Sequence, residues 1–172
     1  MLKKKKVDIR RRLLIFSAFI VLAITVLFFQ ALISVMTEDN GETITFKSAD
    51  GLLITADLYL KHDTSTAPLV LMFHQDNWSR GEYTEIAPQF NELGYNCIAV
   101  DLRAGSEVLG VTNETAELAQ ESGKPHSPVD ALLDVKAAIN YAISTYEPPL
   151  LLALGSSYSS GLILRVAGDS PT

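Results

Sequence analysis

The sequence predicts an α/β domain built on a mostly parallel sheet and preceded by one transmembrane helix. Three observations carry this. Short continuous apolar runs alternate with stretches of helical periodicity. An alternating pair of segments flanks Asp50-Gly51, a strong hairpin turn signal. A segment near the N-terminus, Leu13 to Met36, runs without a single charge.

That segment follows a basic one. Lys3, Lys4, Lys5, Lys6, Arg10, Arg11 and Arg12 stand against Asp8 alone. About 20 apolar residues suffice to cross a bilayer as a helix, and basic flanks stay on the cytoplasmic side. We therefore expect residues 1–12 to be a cytoplasmic basic segment and 13–36 an uncleaved signal anchor. Residues 37–42 then form a linker, and 43–172 a domain on the extracytoplasmic side. A cleaved signal peptide is the competing reading. The apolar run exceeds the usual 7–15 residues of one, and "QALISVMTEDN" offers a poor cleavage site.

Beyond Arg12 the chain holds 7 basic and 19 acidic residues, a net charge of −12. Such a domain repels nucleic acid and anionic lipid, so no nucleic-acid partner is expected. The single cysteine, Cys97, lies in the apolar run "NCIAV" and reads as a small buried hydrophobe. Three scattered histidines and one strand cysteine have no metal-ligand spacing. No metal and no cofactor are expected.

The elements follow in order. "ETITFKSADG" and "LLITADLYLK" form the hairpin. "LVLMF" (Leu69 to Phe73) suits a strand buried on both faces. Tyr83, Ile86, Phe90 and Leu93 mark one helical face, with Gly94 as its stop and Pro88 as a kink or early break. "YNCIAVD" is the next buried strand. A long irregular stretch with a short helix over 114–120 follows. Ser127, Pro128 and Asp130 read as a helix start, with Leu132, Val135, Ile139 and Ile143 as its apolar face. "PPLLLAL" is the last strand, and "SSGLILRVAG" opens the last helix.

Ligands of parallel sheets bind at the carboxyl ends of the strands. Three segments qualify: His74 to Arg80, Asp101 to Ser106, and Gly155 to Gly161. In the third, "GSSYS" matches the small-x-Ser-x-small pattern of a nucleophile on a strand-to-helix elbow, where larger flanking residues would collide. This frame makes Ser157 the nucleophile, with Gly155 and Ser159 as the small elbow positions. A frame shifted by two, "SYSSG", would centre Ser159 and close on Gly161. An ordinary small-residue turn or a phosphate-binding turn is the bland alternative.

The stretch from Thr43 to Gly168 resembles the first half of an α/β-hydrolase, of the dienelactone-hydrolase-like or serine-esterase kind. The resemblance rests on "SADGLLITADLYL", "LVLMFHQ", "ELGYNCIAVDLRAGS" and "GSSYS", in the family's order. It implies the N-terminal half of an α/β-hydrolase fold: a hairpin, then β-α-β-α-β-α. It implies an acyl-enzyme on Ser157 formed from a small-molecule ester or related acyl substrate. The oxyanion hole would use the backbone N–H of Tyr158 and that of Gln75 or Asp76. Gln75 stands where the family has glycine, which bears on the hole's geometry.

The resemblance also places an acid and a histidine after the nucleophile, and no histidine follows Ser157 in this sequence. The last strand, central in the family, would here be an edge. We therefore expect a truncated domain, inactive alone, from a membrane-anchored serine hydrolase. The alternative is a non-catalytic, membrane-tethered binding protein on the same scaffold. Beside these roles, His74 reads as structural, Asp101 and Arg103 as a loop-holding ion pair, and His62 and His126 as solvated. Trp78 reads as pocket wall or core cap. Asp76 and Glu82 stand near the expected cleft without a task of their own.

Overall fold

The structure, a computed structural model, describes residues 9–36 and 41–169. The chain divides into two units, Met1–Glu38 and Asp39–Thr172.

The first unit holds α1 (Ile9–Met36), a single helix. Its described side chains are those of residues 15, 16 and 19–30, and Phe16, Phe19, Leu27 and Phe28 are among its exposed apolar residues. Among the described residues, no helix is long and apolar enough to cross a membrane. Ten of the 24 side chains of the 13–36 segment read as an anchor lie outside the described ones.

The second unit is a five-stranded sheet in the order β1-β2-β4-β3-β5. The hairpin β1 (Glu42–Lys47) and β2 (Leu53–Tyr59) is antiparallel, turning at Gly51 with φ 80°. That φ lies in the left-handed region, where glycine carries no Cβ penalty. β2 runs antiparallel to β4 (Asn96–Val100). From there the sheet is parallel: β4 beside β3 (Leu69–Phe73), and β3 beside β5 (Leu151–Gly155).

Side-chain alternation divides the core between the two faces. Leu69, Leu71 and Phe73 join Ile98 and Val100 under α4 (Leu132–Tyr146) and α5 (Tyr158–Asp169), where Val135, Ala138, Ala142 and Leu162 are buried. Val70 and Met72 join Cys97 and Ala99 on the opposite face, against Tyr83 and the Ala87 of α2 (Ala87–Glu92). Both faces of β3 and β4 are covered, which explains the apolar runs Leu69 to Phe73 and Cys97 to Val100. Cys97 is fully buried, and burial pushes its thiol up to about 12. It is a packing residue, as read from the sequence. Among the described residues β1 and β5 are the two edge strands, and Leu152 and Leu154 of β5 remain partly exposed.

Two local expectations change. The helix expected from Tyr83 begins only at Ala87, because Pro88 has no N–H to give and takes one of its first positions. Arg80–Tyr83 forms a separate 3₁₀ turn, capped by Ser79 Oγ on the Gly81 N–H at 3.1 Å. The helix expected from Ser127 begins at Leu132 instead. The Asp130 carboxylate accepts from both the N–H (2.9 Å) and the hydroxyl (2.5 Å) of Ser127, closing a turn of its own. The irregular stretch does contain α3 (Glu114–Glu121), with Asn113 Oδ1 as its cap on the Ala116 N–H at 2.8 Å.

Candidate active site

The turn from β5 into α5 has the backbone that an elbow requires. Ser157 sits at its apex with φ 55° and an exposed side chain. That left-handed conformation costs a non-glycine residue about 1 kcal/mol or more and persists where the surroundings impose it. The surroundings here are the other serines. Ser159 is fully buried. Its Oγ accepts from the Ser156 N–H (2.9 Å) and donates to the Phe73 carbonyl (2.8 Å). Ser160 Oγ donates to the Ser157 carbonyl at 2.5 Å. Ser159 is committed to packing, so the frame centred on it has no exposed hydroxyl at its apex.

Gly155 explains the other small position. A Cβ there would stand 2.7 Å from Ser160 N and 2.8 Å from Ser160 Cα, where strand and helix backbones meet. Gly161, which closes the shifted frame, has open space where its Cβ would be.

Tyr158 opens α5. First-turn N–H groups of a helix have no intrahelical acceptor. Its half-buried phenol donates to the Ala104 carbonyl at 3.0 Å, and burial raises its pKa. The elbow is thereby tied to the loop after β4.

The loop after β3 is equally constrained. His74 is fully buried, and its Nε2 accepts from the Leu102 N–H at 2.8 Å. The proton therefore sits on Nδ1, which donates to the Gln75 carbonyl at 2.7 Å. Since there is no cis peptide among the described residues, the N–H of Asp76 points opposite to that carbonyl. Holding one end of the Gln75–Asp76 peptide thus aims the other. The Gln75 N–H itself is occupied, donating to Glu82 Oε2 at 2.8 Å. Of the two loop donors read from the sequence, Asp76's N–H alone lacks a protein acceptor among the described residues.

Burial holds the His74 ring down to about 4. A histidine with a folded pKa below its unfolded value of about 6.5 gains its proton first in the unfolded chain. The associated stability is intact above about pH 6.5 and lost as pH falls through about 4, by roughly 3 kcal/mol. Asp101, pushed up to about 6 by burial, contributes in the opposite direction over the same range. The His74 share is therefore read by difference. Urea midpoints of the wild-type chain should fall more steeply between pH 6.5 and 4 than those of His74→Gln. The His74 ring resonances in NMR should stay neutral until about pH 4.

The expected Asp101–Arg103 pair does not form. Asp101 binds Arg80, accepting from its N–H at 2.7 Å and from Nη1 at 2.6 Å. Arg80 also reaches Asp57 at 2.9 Å and Glu114 at 3.0 Å. Arg103 is buried and binds Asp134 and Asp50, each at 2.8 Å. Hydrogen bonds from Arg103 hold Asp50 well below the usual carboxylate range. These partners come from distant elements, and no local spacing in the sequence identifies them.

His62 is exposed but bonded, its Nε2 lying 2.7 Å from the Asn91 carbonyl. His126 is exposed near the Lys124 carbonyl. Neither these nor His74 hydrogen-bonds Ser157. Trp78 is partly exposed, neither capping the core nor lining the nearby cavity. That cavity, about 340 Å³, lies between the loops after β3 and β4 and is lined by Asp76, Asn77, Ala104, Gly105 and His126 among others. Among the described residues no cluster of His, Cys, Asp and Glu is disposed to hold a metal.

No protein-family model matches the chain, and no curated protein does. Solved structures do match. The Pyrococcus furiosus esterase Pf2001 superposes with a TM-score of 0.56 at 20% identity, over 74% of this chain and 46% of that one. DcsB, solved with a substrate analogue, gives 0.57 at 17% identity over 75% and 41%. An epoxide hydrolase from an endophytic Streptomyces gives 0.51 at 16% identity over 77% and 34%. About three quarters of the chain therefore has the α/β-hydrolase fold. The chain spans less than half the length of these structures.

Proposed function

We propose that the chain carries the nucleophile half of a membrane-anchored serine hydrolase. Ser157 attacks the carbonyl of a carboxylic ester or related acyl substrate and becomes the acyl-enzyme. The N–H groups of Tyr158 and Asp76 stabilise the oxyanion, a large contribution to acyl transfer. The observation that carries this reading is Ser157 itself: exposed, at φ 55°, on a turn whose neighbouring serines are all bound into it. Asn77, Leu109 and Glu147 share that left-handed backbone, and Ser157 is the one of the four that stands directly between a strand and an α-helix.

A serine nucleophile needs a base and an orienting acid. His74 is a buried neutral ring with both nitrogens engaged, and the other two histidines bond elsewhere. We place the base and acid outside these 172 residues, and these residues alone are then inactive on esters. The anchor reading rests on the charge-free segment 13–36 behind its basic flank. It puts the hydrolase unit on the extracytoplasmic side and the lipid bilayer among its partners.

The test is fluorophosphonate labelling of membranes from cells expressing the gene at its own locus, with mapping of the modified peptide. Label on Ser157 that disappears in Ser157→Ala is the expected result. An unlabelled Ser157 beside other labelled hydrolases in the same membranes would favour the non-catalytic binding protein.

A further inference from the structure

We infer that Glu82 is a positioning residue for the proposed oxyanion hole, holding the loop after β3 so that Asp76 presents its N–H as that loop's donor. This rests on the nucleophile reading above and extends it to a residue that touches neither the substrate nor Ser157.

Glu82 is half-buried, and its carboxylate accepts the Gln75 N–H at 2.8 Å. The turn that carries it is fixed at both ends. The N–H of Arg80 and its guanidinium are bound by the buried Asp101 at the end of β4. The hydroxyl of Tyr83 donates to the Phe73 carbonyl at 2.7 Å. Gly81 lets the turn lie against its neighbours, since a Cβ there would stand 2.5 Å from the Val108 carbonyl oxygen. The Phe73 carbonyl also receives Ser156 N–H and Ser159 Oγ from the elbow. One oxygen at the end of β3 therefore meets both the elbow and the turn that bears Glu82.

The two backbone groups of Gln75 are thus held from different sides, the N–H by Glu82 and the carbonyl by His74. Fixing both removes the freedom of the next peptide to rotate. An oxyanion donor is effective only when it is set before the charge develops, and a misplacement of about 1 Å costs about 100-fold in rate.

The experiment compares the wild-type protein with Glu82→Ala and Glu82→Gln, all expressed at full length in membranes. Concentration-dependent fluorophosphonate labelling separates probe affinity from the bond-forming rate at Ser157. Glu82→Ala should slow bond formation at least about 10-fold with affinity and thermal midpoint little changed. Glu82→Gln keeps an acceptor oxygen and should restore the wild-type rate. A wild-type rate in Glu82→Ala overturns the inference. So does a loss that follows only a lowered thermal midpoint.

If Ser157 of the wild type takes no label, the nucleophile reading fails, and hydrogen exchange at the Gln75 amide decides Glu82 separately. Protection lost in Glu82→Ala and kept in Glu82→Gln upholds the clamp, whereas an unprotected wild-type amide ends it.

Discussion

Replacing Arg103 with methionine should lower the stability of the hydrolase unit by about 3–5 kcal/mol. The guanidinium is buried and spans three elements, bonding Asp134 of α4, Asp50 of the hairpin turn and the Pro125 carbonyl. Its removal leaves the Asp134 carboxylate fully buried with no cation, and an unpaired buried charge is far costlier than a missing pair. Domains are stable by only about 5–15 kcal/mol, so a large share of the molecules should unfold well below the wild-type midpoint. Urea unfolding of the purified chain measures the loss. The double variant Arg103→Met with Asp134→Leu removes both charges and should recover most of it. No recovery would mean that Asp50 and the hairpin turn, rather than the orphaned Asp134, account for the cost.

Gly155→Ala should have the largest effect on the site. The new methyl would press on the backbone of Ser160, which belongs to α5 and cannot yield as a side-chain tip can. The helix must lift from β5, at about 1–3 kcal/mol for an overpacked contact. Ser157 moves with it, and labelling of Ser157 should fall about 100-fold. Gly161→Ala is the matched control. Its Cβ meets nothing, and within a helix alanine is favoured over glycine by up to about 1 kcal/mol. Labelling should be unchanged there. The opposite pattern, with Gly161→Ala disruptive and Gly155→Ala silent, would restore the frame centred on Ser159.

Much of the fold is legible along the chain because strands and helices write their own periods. The runs Leu69 to Phe73 and Cys97 to Val100 are apolar throughout because helices cover both faces. The small residues around Ser157 are legible for a related reason: a tight turn excludes large side chains whatever lies elsewhere. Element starts are less legible. Ser127, Pro128 and Asp130 have the composition of a helix start. Yet the Asp130 carboxylate turns back onto Ser127, and the helix waits until Leu132.

By itself, then, the sequence determined the kinds of element, their order, the charge-free segment 13–36 and the serine most fitted to the elbow. Each depends on contacts within a few residues, where spacing and residue type are the whole physics. The tertiary structure decided which charges meet. Asp101 and Arg103 lie two apart and bind different partners, because burial forces each charge to the best-placed opposite charge in space. For Arg103 these lie 31 and 53 residues away. The fold likewise left Ser157 exposed while burying Ser159, and gave the Gln75 N–H to Glu82. Packing and pairing at that range are properties of the assembled sheet and its loops, which no local pattern encodes.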